Sequence, residues 1–208
     1  MADAEVWPTV HAERKALAAD LDGLDDAGWN TTTLCTDWTV RDVVAHMTAT
    51  SKLSGPTFFP KLLASGFSLK RLQAKDIAAE RGSSPADTLA RFKAQVDSTG
   101  RPPGPIDTIL GEVIVHAADI PRPLGIAHQY PTDAVARVAG FYRGSNLVIG
   151  GKRRVEGLTL QATDTDWSAG TGPVVSGPVL SLLQAMTGRK AALDDLGGEG
   201  LATLRSRP

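Results

Sequence analysis

The feature that most limits what this chain can fold into is a change of hydrophobic period at Gly150-Gly151. Before it, apolar residues recur at steps of three and four, as on one face of a helix. After it, Gly157-Leu158-Thr159-Leu160-Gln161-Ala162-Thr163 alternates with period two, as a half-buried strand does. Such a chain is expected to be mainly α: a helical bundle over residues 1–150 followed by a small C-terminal α/β region over 151–208.

Local signals place the helices. Val6, Val10, Leu17, Leu21 and Leu24 fall mostly on one face and predict a first helix from about residue 3 to 23. Thr39 is a good N-cap with Asp42 three residues on, so a second helix runs from about Val40 to Thr50, with Val40, Val43, Val44 and Met47 as its core stripe. The segment 56–80 is helical in composition but is interrupted by Pro56, Pro60 and Gly66. Ser84-Pro85-Ala86-Asp87 opens a helix ending near Ser98-Thr99-Gly100, and the linker RPPGP comes next. Further helices are expected over about Ile106–Asp119, stopped by Pro121 and Pro123, and over about Thr132–Leu147. After the strand, Ser176-Gly177-Pro178 opens a helix that carries Val179, Leu182, Leu183 and Met186 and ends at Gly188.

Composition bounds the partners. A 208-residue chain with 42% hydrophobic residues can bury a real core. Its 22 Lys and Arg against 23 Asp and Glu leave no basic excess for a phosphate backbone, so nucleic acid is not an expected partner. The opening MADAEVWPTVHAERKAL becomes charged before any signal-peptide core develops, and no apolar run approaches the roughly 20 residues of a membrane span. The one cysteine, Cys35, fits a reducing compartment. A cytoplasmic protein with no membrane partner is expected.

The stretch GEVIVHAADIPRP, residues 111–123, carries Glu112, His116 and Asp119 in an otherwise apolar run. Steps of four and three turn about 40° and about −60° around a helix, so all three share one face. Glu112 and His116, at i and i+4, have the spacing by which one helix offers two ligands to one metal ion. His46, near the core stripe of its own helix, is the best-placed third ligand. His11 lies beside Glu13 and Arg14 on a charged part of the first helix, and His128 lies in a loop. The same residues also suit a hydrogen-bonded Glu–His pair and a satisfied core histidine. His, His and Glu together would leave a coordination position for water or substrate, the catalytic arrangement for zinc; nickel and other divalent ions also suit such donors. Asp119 is assigned as an outer acceptor orienting a ligand, with pairing to Arg122 or a capping role as alternatives. Cys35 reads best as a small buried loop residue, with a fourth ligand or a nucleophile as its other roles. Trp38 reads as a hydrophobic plug between loop and bundle. Arg189 could hold a carboxylate, although a cation at a helix C-terminus is explained by the dipole alone.

The loop Cys35-Thr36-Asp37-Trp38, the helix start Thr39-Val40-Arg41-Asp42 with His46, and Glu112 with His116 and Asp119 resemble the mycothiol-dependent maleylpyruvate isomerase family, within the DinB-like four-helix-bundle metalloproteins. The ending LTLQATDTDWSAGTG, GPVLSLLQAMTGR and LGGEGLATL is similar to the tail of shorter members. Many DinB-like proteins have histidine where this sequence has Glu112, and the glutamate is the mark of the mycothiol branch. The resemblance implies a DinB-like bundle, His46, Glu112 and His116 as metal ligands, and mycothiol as thiol cosubstrate. It further implies thiol transfer to, or isomerisation of, a small electrophile, with a homodimer among the expected assemblies. The other reading is a DinB-like metal-binding or small-ligand-binding protein without catalysis. In the family's full-length enzymes a larger C-terminal domain helps to form the active site. Only about 55 residues remain after the expected bundle here, which counts against maleylpyruvate as the substrate.

Overall fold

The computed structural model of the chain describes residues 3–35, 37–147 and 149–207. Thr36 of the loop motif lies outside the described residues. Contacts divide the chain into two compact units, residues 1–127 and 128–208.

The first unit contains α1 (Asp3–Asp20), α2 (Asp26–Trp29), α3 (Val40–Ser51), α4 (Gly55–Ala64), α5 (Leu69–Glu80), α6 (Pro85–Lys93), α7 (Asp107–Ala118) and α8 (Pro121–Leu124). Helices α1, α3, α6 and α7 form a four-helix bundle in which α1 touches α6 and α7, and α3 touches α6 and α7. Its core includes Val10, Leu17, Val43, Val44, Met47, Phe92, Ile109, Leu110, Val113 and Ile114. Helix α5 packs on the outside of α3.

Helix starts obey the local chemistry. The Thr39 hydroxyl accepts from the Asp42 N–H at 3.3 Å and the Asp42 carboxylate accepts from the Thr39 N–H at 3.0 Å, a reciprocal capping box. Such a cap contributes about 1 kcal/mol and fixes the register in which α3 presents His46. Ser84 caps α6 with Pro85 at its first turn. That helix stops at Lys93, short of the expected Ser98, and gives way to turns. The Ser98 hydroxyl donates to the Ser51 carbonyl at 2.7 Å. Gly100 lies so close to Ser51 that a Cβ would stand 2.0 Å from the same oxygen. The chain leaves the helix to make that close approach.

The second unit contains α9 (Thr132–Gly144), α10 (Gly151–Val155), β1 (Thr159–Ala162), β2 (Ser168–Gly170), β3 (Val174–Gly177), α11 (Val179–Met186), a 3-10 turn (Lys190–Asp195) and α12 (Leu201–Arg205). The sheet order is β2-β1-β3, with β2 antiparallel and β3 parallel to β1. Leu160 of β1 and Val175 of β3 are buried beneath α11. The period-two segment is thus a strand and the later apolar run is the helix that covers it, as expected. The boundary falls earlier than residue 150, because α9 buries Ala134, Val135, Val138, Ala139 and Tyr142 and packs on α11. The α/β region therefore holds the helix that periodicity alone groups with the bundle.

Candidate metal centre

Three elements of the bundle unit build the site: the loop 31–39, helix α3 and helix α7. The loop is tied to the end of α7, since the Leu34 N–H donates to the Asp119 carbonyl at 3.0 Å. Inside the loop the Trp38 N–H donates to the Cys35 carbonyl at 3.1 Å, and Thr33 bonds to both ends of the turn. Asp37 has φ +71, a left-handed value that aspartate tolerates through local hydrogen bonding.

These ties bring three rings together. His46 of α3 and His116 of α7 meet edge to face with centroids 4.9 Å apart. Trp38 stacks on His116 at 5.6 Å and tilts over His46 at 5.0 Å. The His116 Nδ1 lies 3.1 Å from an oxygen of Asp119, which is fully buried at the C-terminal cap of α7. That hydrogen bond fixes the ring and commits Nδ1, leaving Nε2 as the atom that would face a metal.

Glu112 stands one turn before His116. The residue is half-buried, yet both its carboxylate oxygens are shielded from water and have no hydrogen-bond partner among the described residues. Burial pushes its pKa up to about 8, opposed by the charge of Arg14. Arg14, on α1, is fully buried. One of its amino groups donates to the Ser98 carbonyl at 2.8 Å, while its Nε and other amino nitrogen have no partner among the described residues. Burial lowers the Arg14 pKa and Glu112 raises it. A buried cation and a buried carboxyl thus sense each other through space while neither is fully satisfied.

Of the three ligands expected from the sequence, the structure brings the imidazoles of His46 and His116 into contact and leaves the Glu112 oxygens without partners. A different group of ligand atoms is close enough to hold an ion: a sulfur, nitrogen or oxygen from each of Cys35, His116 and Asp119 lies within 4.8 Å of the others. His46 and Glu112 stand outside that compact group. Cys35 is half-buried beside the metal-capable groups, nearer the chemistry than its reading as a loop filler implies. Trp38 covers both histidines, and Arg14 joins the site with no signal in its local sequence. Of the other histidines, His11 lies 3.3 Å from the Ser98 carbonyl and His128 is in ring contact with Tyr130.

The fold defines a class, a mainly helical protein with a four-helix bundle unit and a separate α/β unit. Residues 10–103 match the family model described as the mycothiol maleylpyruvate isomerase N-terminal domain. The match takes in the loop, Trp38 and His46, and stops before α7. Two solved structures, of the mycothiol-dependent maleylpyruvate isomerase and of a mutant of it, superpose with TM-scores of 0.65 and 0.64 at 16% identity. Each covers 96% of this chain, and this chain covers 93% of each. At that identity the likeness is one of fold. It also corrects the expectation of a shortened tail, because the two chains are of nearly equal extent and the C-terminal region here has a counterpart of similar size there. No curated protein matches the chain. No helix among the described residues is long and apolar enough to cross a membrane.

Proposed function

We propose that the chain is a divalent-metal-dependent enzyme that uses mycothiol to transfer to, or isomerise, a small electrophilic substrate. The observation that carries this reading is the pair of touching imidazoles, His46 and His116, with the shielded and unpartnered carboxylate of Glu112 one helical turn away. A buried carboxylate without a partner is costly, and a cation on that side would offset the cost. The donor set of two nitrogens and one oxygen suits zinc first, with nickel next. His46, Glu112 and His116 would hold the ion, and Asp119 would hold His116 in the right tautomer.

When bound, such an ion lowers the pKa of a coordinated thiol so that it is present as thiolate near neutral pH. The residues supply the rest. Asp119 keeps Nδ1 of His116 occupied, Glu112 contributes the negative charge of the set, and Trp38 shields one side of both rings from water. With the tail-length objection gone, an unsaturated acid of the maleylpyruvate type returns as the first substrate class to try. Calorimetry of the zinc, nickel and manganese forms should show mycothiol binding, and mycothiol should raise the thermal stability of metal-loaded protein alone. A panel of electrophiles that includes maleylpyruvate should show turnover. Absence of thiol binding in every metal form would sink the proposal.

One observation favours a second reading, a non-catalytic metal-binding protein. Cys35 and Asp119 stand close enough to His116 to join a metal and close it to substrate. Cys35→Ser separates the two readings: it spares metal and thiol binding if the site is open, and it strips the metal if Cys35 completes a closed site.

A further inference from the structure

The hairpin of α4 and α5 presents outward what a helix of this composition ordinarily buries. Helix α4, with the sequence GPTFFPKLLA, buries none of its residues. Among the described residues the large apolar side chains left exposed are Phe59, Leu63, Phe67, Leu69 and Leu147, and four of these five belong to this hairpin. Phe59 and Leu63 stand one turn apart on the same side of α4, and Phe67 continues their spacing into the turn. Phe67 has φ +57, a left-handed conformation that a bulky residue avoids, and at 73% it is the most exposed of the large apolar residues among the described ones. The strained backbone delivers the ring to solvent and not to a core.

The charge is equally one-sided. From residue 52 to residue 75 the sequence has Lys52, Lys61, Lys70, Arg71 and Lys75 and no acidic residue, in a chain of net charge −1. Lys52 pairs with Glu80 and Lys61 with Asp76. Lys70, Arg71 and Lys75 make no ion pair among the described residues.

We infer that this hairpin docks on an anionic phospholipid surface, with Phe59, Leu63, Phe67 and Leu69 entering the headgroup boundary and Lys70, Arg71 and Lys75 meeting lipid phosphates. A contiguous apolar stripe beside uncompensated cations is the chemistry such an interface rewards on both counts. A second copy of the chain is a poorer occupant. A twofold contact would set the same cations face to face, and the acids of the hairpin, Asp76 and Glu80, are already paired with Lys61 and Lys52. Nucleic acid would engage the cations but leave the apolar stripe wet. The expectation of no membrane partner rests on the lack of a spanning segment, which surface docking does not need.

The test is cosedimentation of the full chain with phosphatidylcholine vesicles, with and without phosphatidylglycerol. Protein should pellet with the anionic vesicles and be released by salt. Lys70→Gln and Arg71→Gln should each reduce partitioning roughly fivefold, the effect of about one unit charge at such a surface. Phe59→Ser with Phe67→Ser should abolish pelleting. Because all four positions are exposed, an unchanged thermal midpoint would show that the variants remain folded. Failure to pellet with anionic vesicles overturns the inference, as does pelleting that all these substitutions leave unchanged. A concentration-dependent dimer dissolved by Phe67→Ser, in a protein that ignores vesicles, would assign the stripe to self-association instead.

Discussion

Glu112 and Asp119 are two shielded carboxylates about two turns apart on one helical segment, one on either side of His116, and they have opposite fates. Asp119 is fully buried and hydrogen-bonded to His116 Nδ1 at 3.1 Å. Glu112 has two shielded oxygens with no partner among the described residues, and its pKa is pushed up to about 8. One carboxylate is already used by the fold, and the other is held ready at a cost. A group of the first kind supports a site, and a group of the second kind completes one.

The sharpest way to break this contrast is to neutralise each group in turn. Glu112→Gln should abolish stoichiometric binding of zinc measured by elemental analysis, and His116→Ala should do the same. Full metal retention by Glu112→Gln alone would move the centre to Cys35, His116 and Asp119, whereas full retention by His116→Ala would place the ion outside both sets.

Arg14 tests the electrostatic half of the contrast. Arg14→Met removes the cation that opposes protonation of Glu112 and also the donor to the Ser98 carbonyl. The charged hydrogen bond lost to the Ser98 carbonyl should cost about 1.5–3 kcal/mol in urea denaturation. The double variant Arg14→Met with Glu112→Gln should lose less than the sum of the two single changes. Strict additivity would mean that the two groups do not sense each other.

The smaller step is Asp119→Asn, which keeps the shape and removes the charge behind His116. Partners that act on a metal through its ligand are worth about 10–100-fold in metal affinity. Competition with a chromophoric chelator should find zinc weakened by that factor and still bound. Complete loss would promote Asp119 to a ligand and reverse the contrast.

The legible part of the sequence is local. Thr39 with Asp42, and Ser84 with Pro85, announce helix starts because their partners lie within one turn. The common face of Glu112, His116 and Asp119 comes from helical geometry alone. The illegible part depends on residues distant in sequence. Cys35 reaches the site because Leu34 bonds to the Asp119 carbonyl across the bundle. Arg14 sits among charged neighbours in sequence and looks solvated, yet it and Glu13 are buried. Helix α9 has the same period whichever unit it packs on. Helix α4 has the composition of a buried helix and lies outside, since periodicity records that a face is apolar and not what covers it.

The last effect is a pH dependence that belongs to Glu112 and is absent from its counterpart in the glutamine variant. With metal removed, the folded chain holds the Glu112 proton up to about pH 8, whereas the unfolded chain releases it near 4.5. Below 4.5 both states are protonated and no stability is lost. Between 4.5 and 8 the folded state binds more protons than the unfolded one, so stability falls as pH rises, by at most about 1.4 kcal/mol per pH unit from this group. Above 8 both states are ionised and the slope from this group vanishes. Metal-loaded protein should lose the slope, because a ligating Glu112 is ionised in the folded state too. Urea midpoints of chelator-treated protein, metal-loaded protein and Glu112→Gln across that window isolate the contribution of this group. An equal slope in chelator-treated wild type and Glu112→Gln would show that Glu112 is solvated or paired in solution, and the contrast with Asp119 would fall.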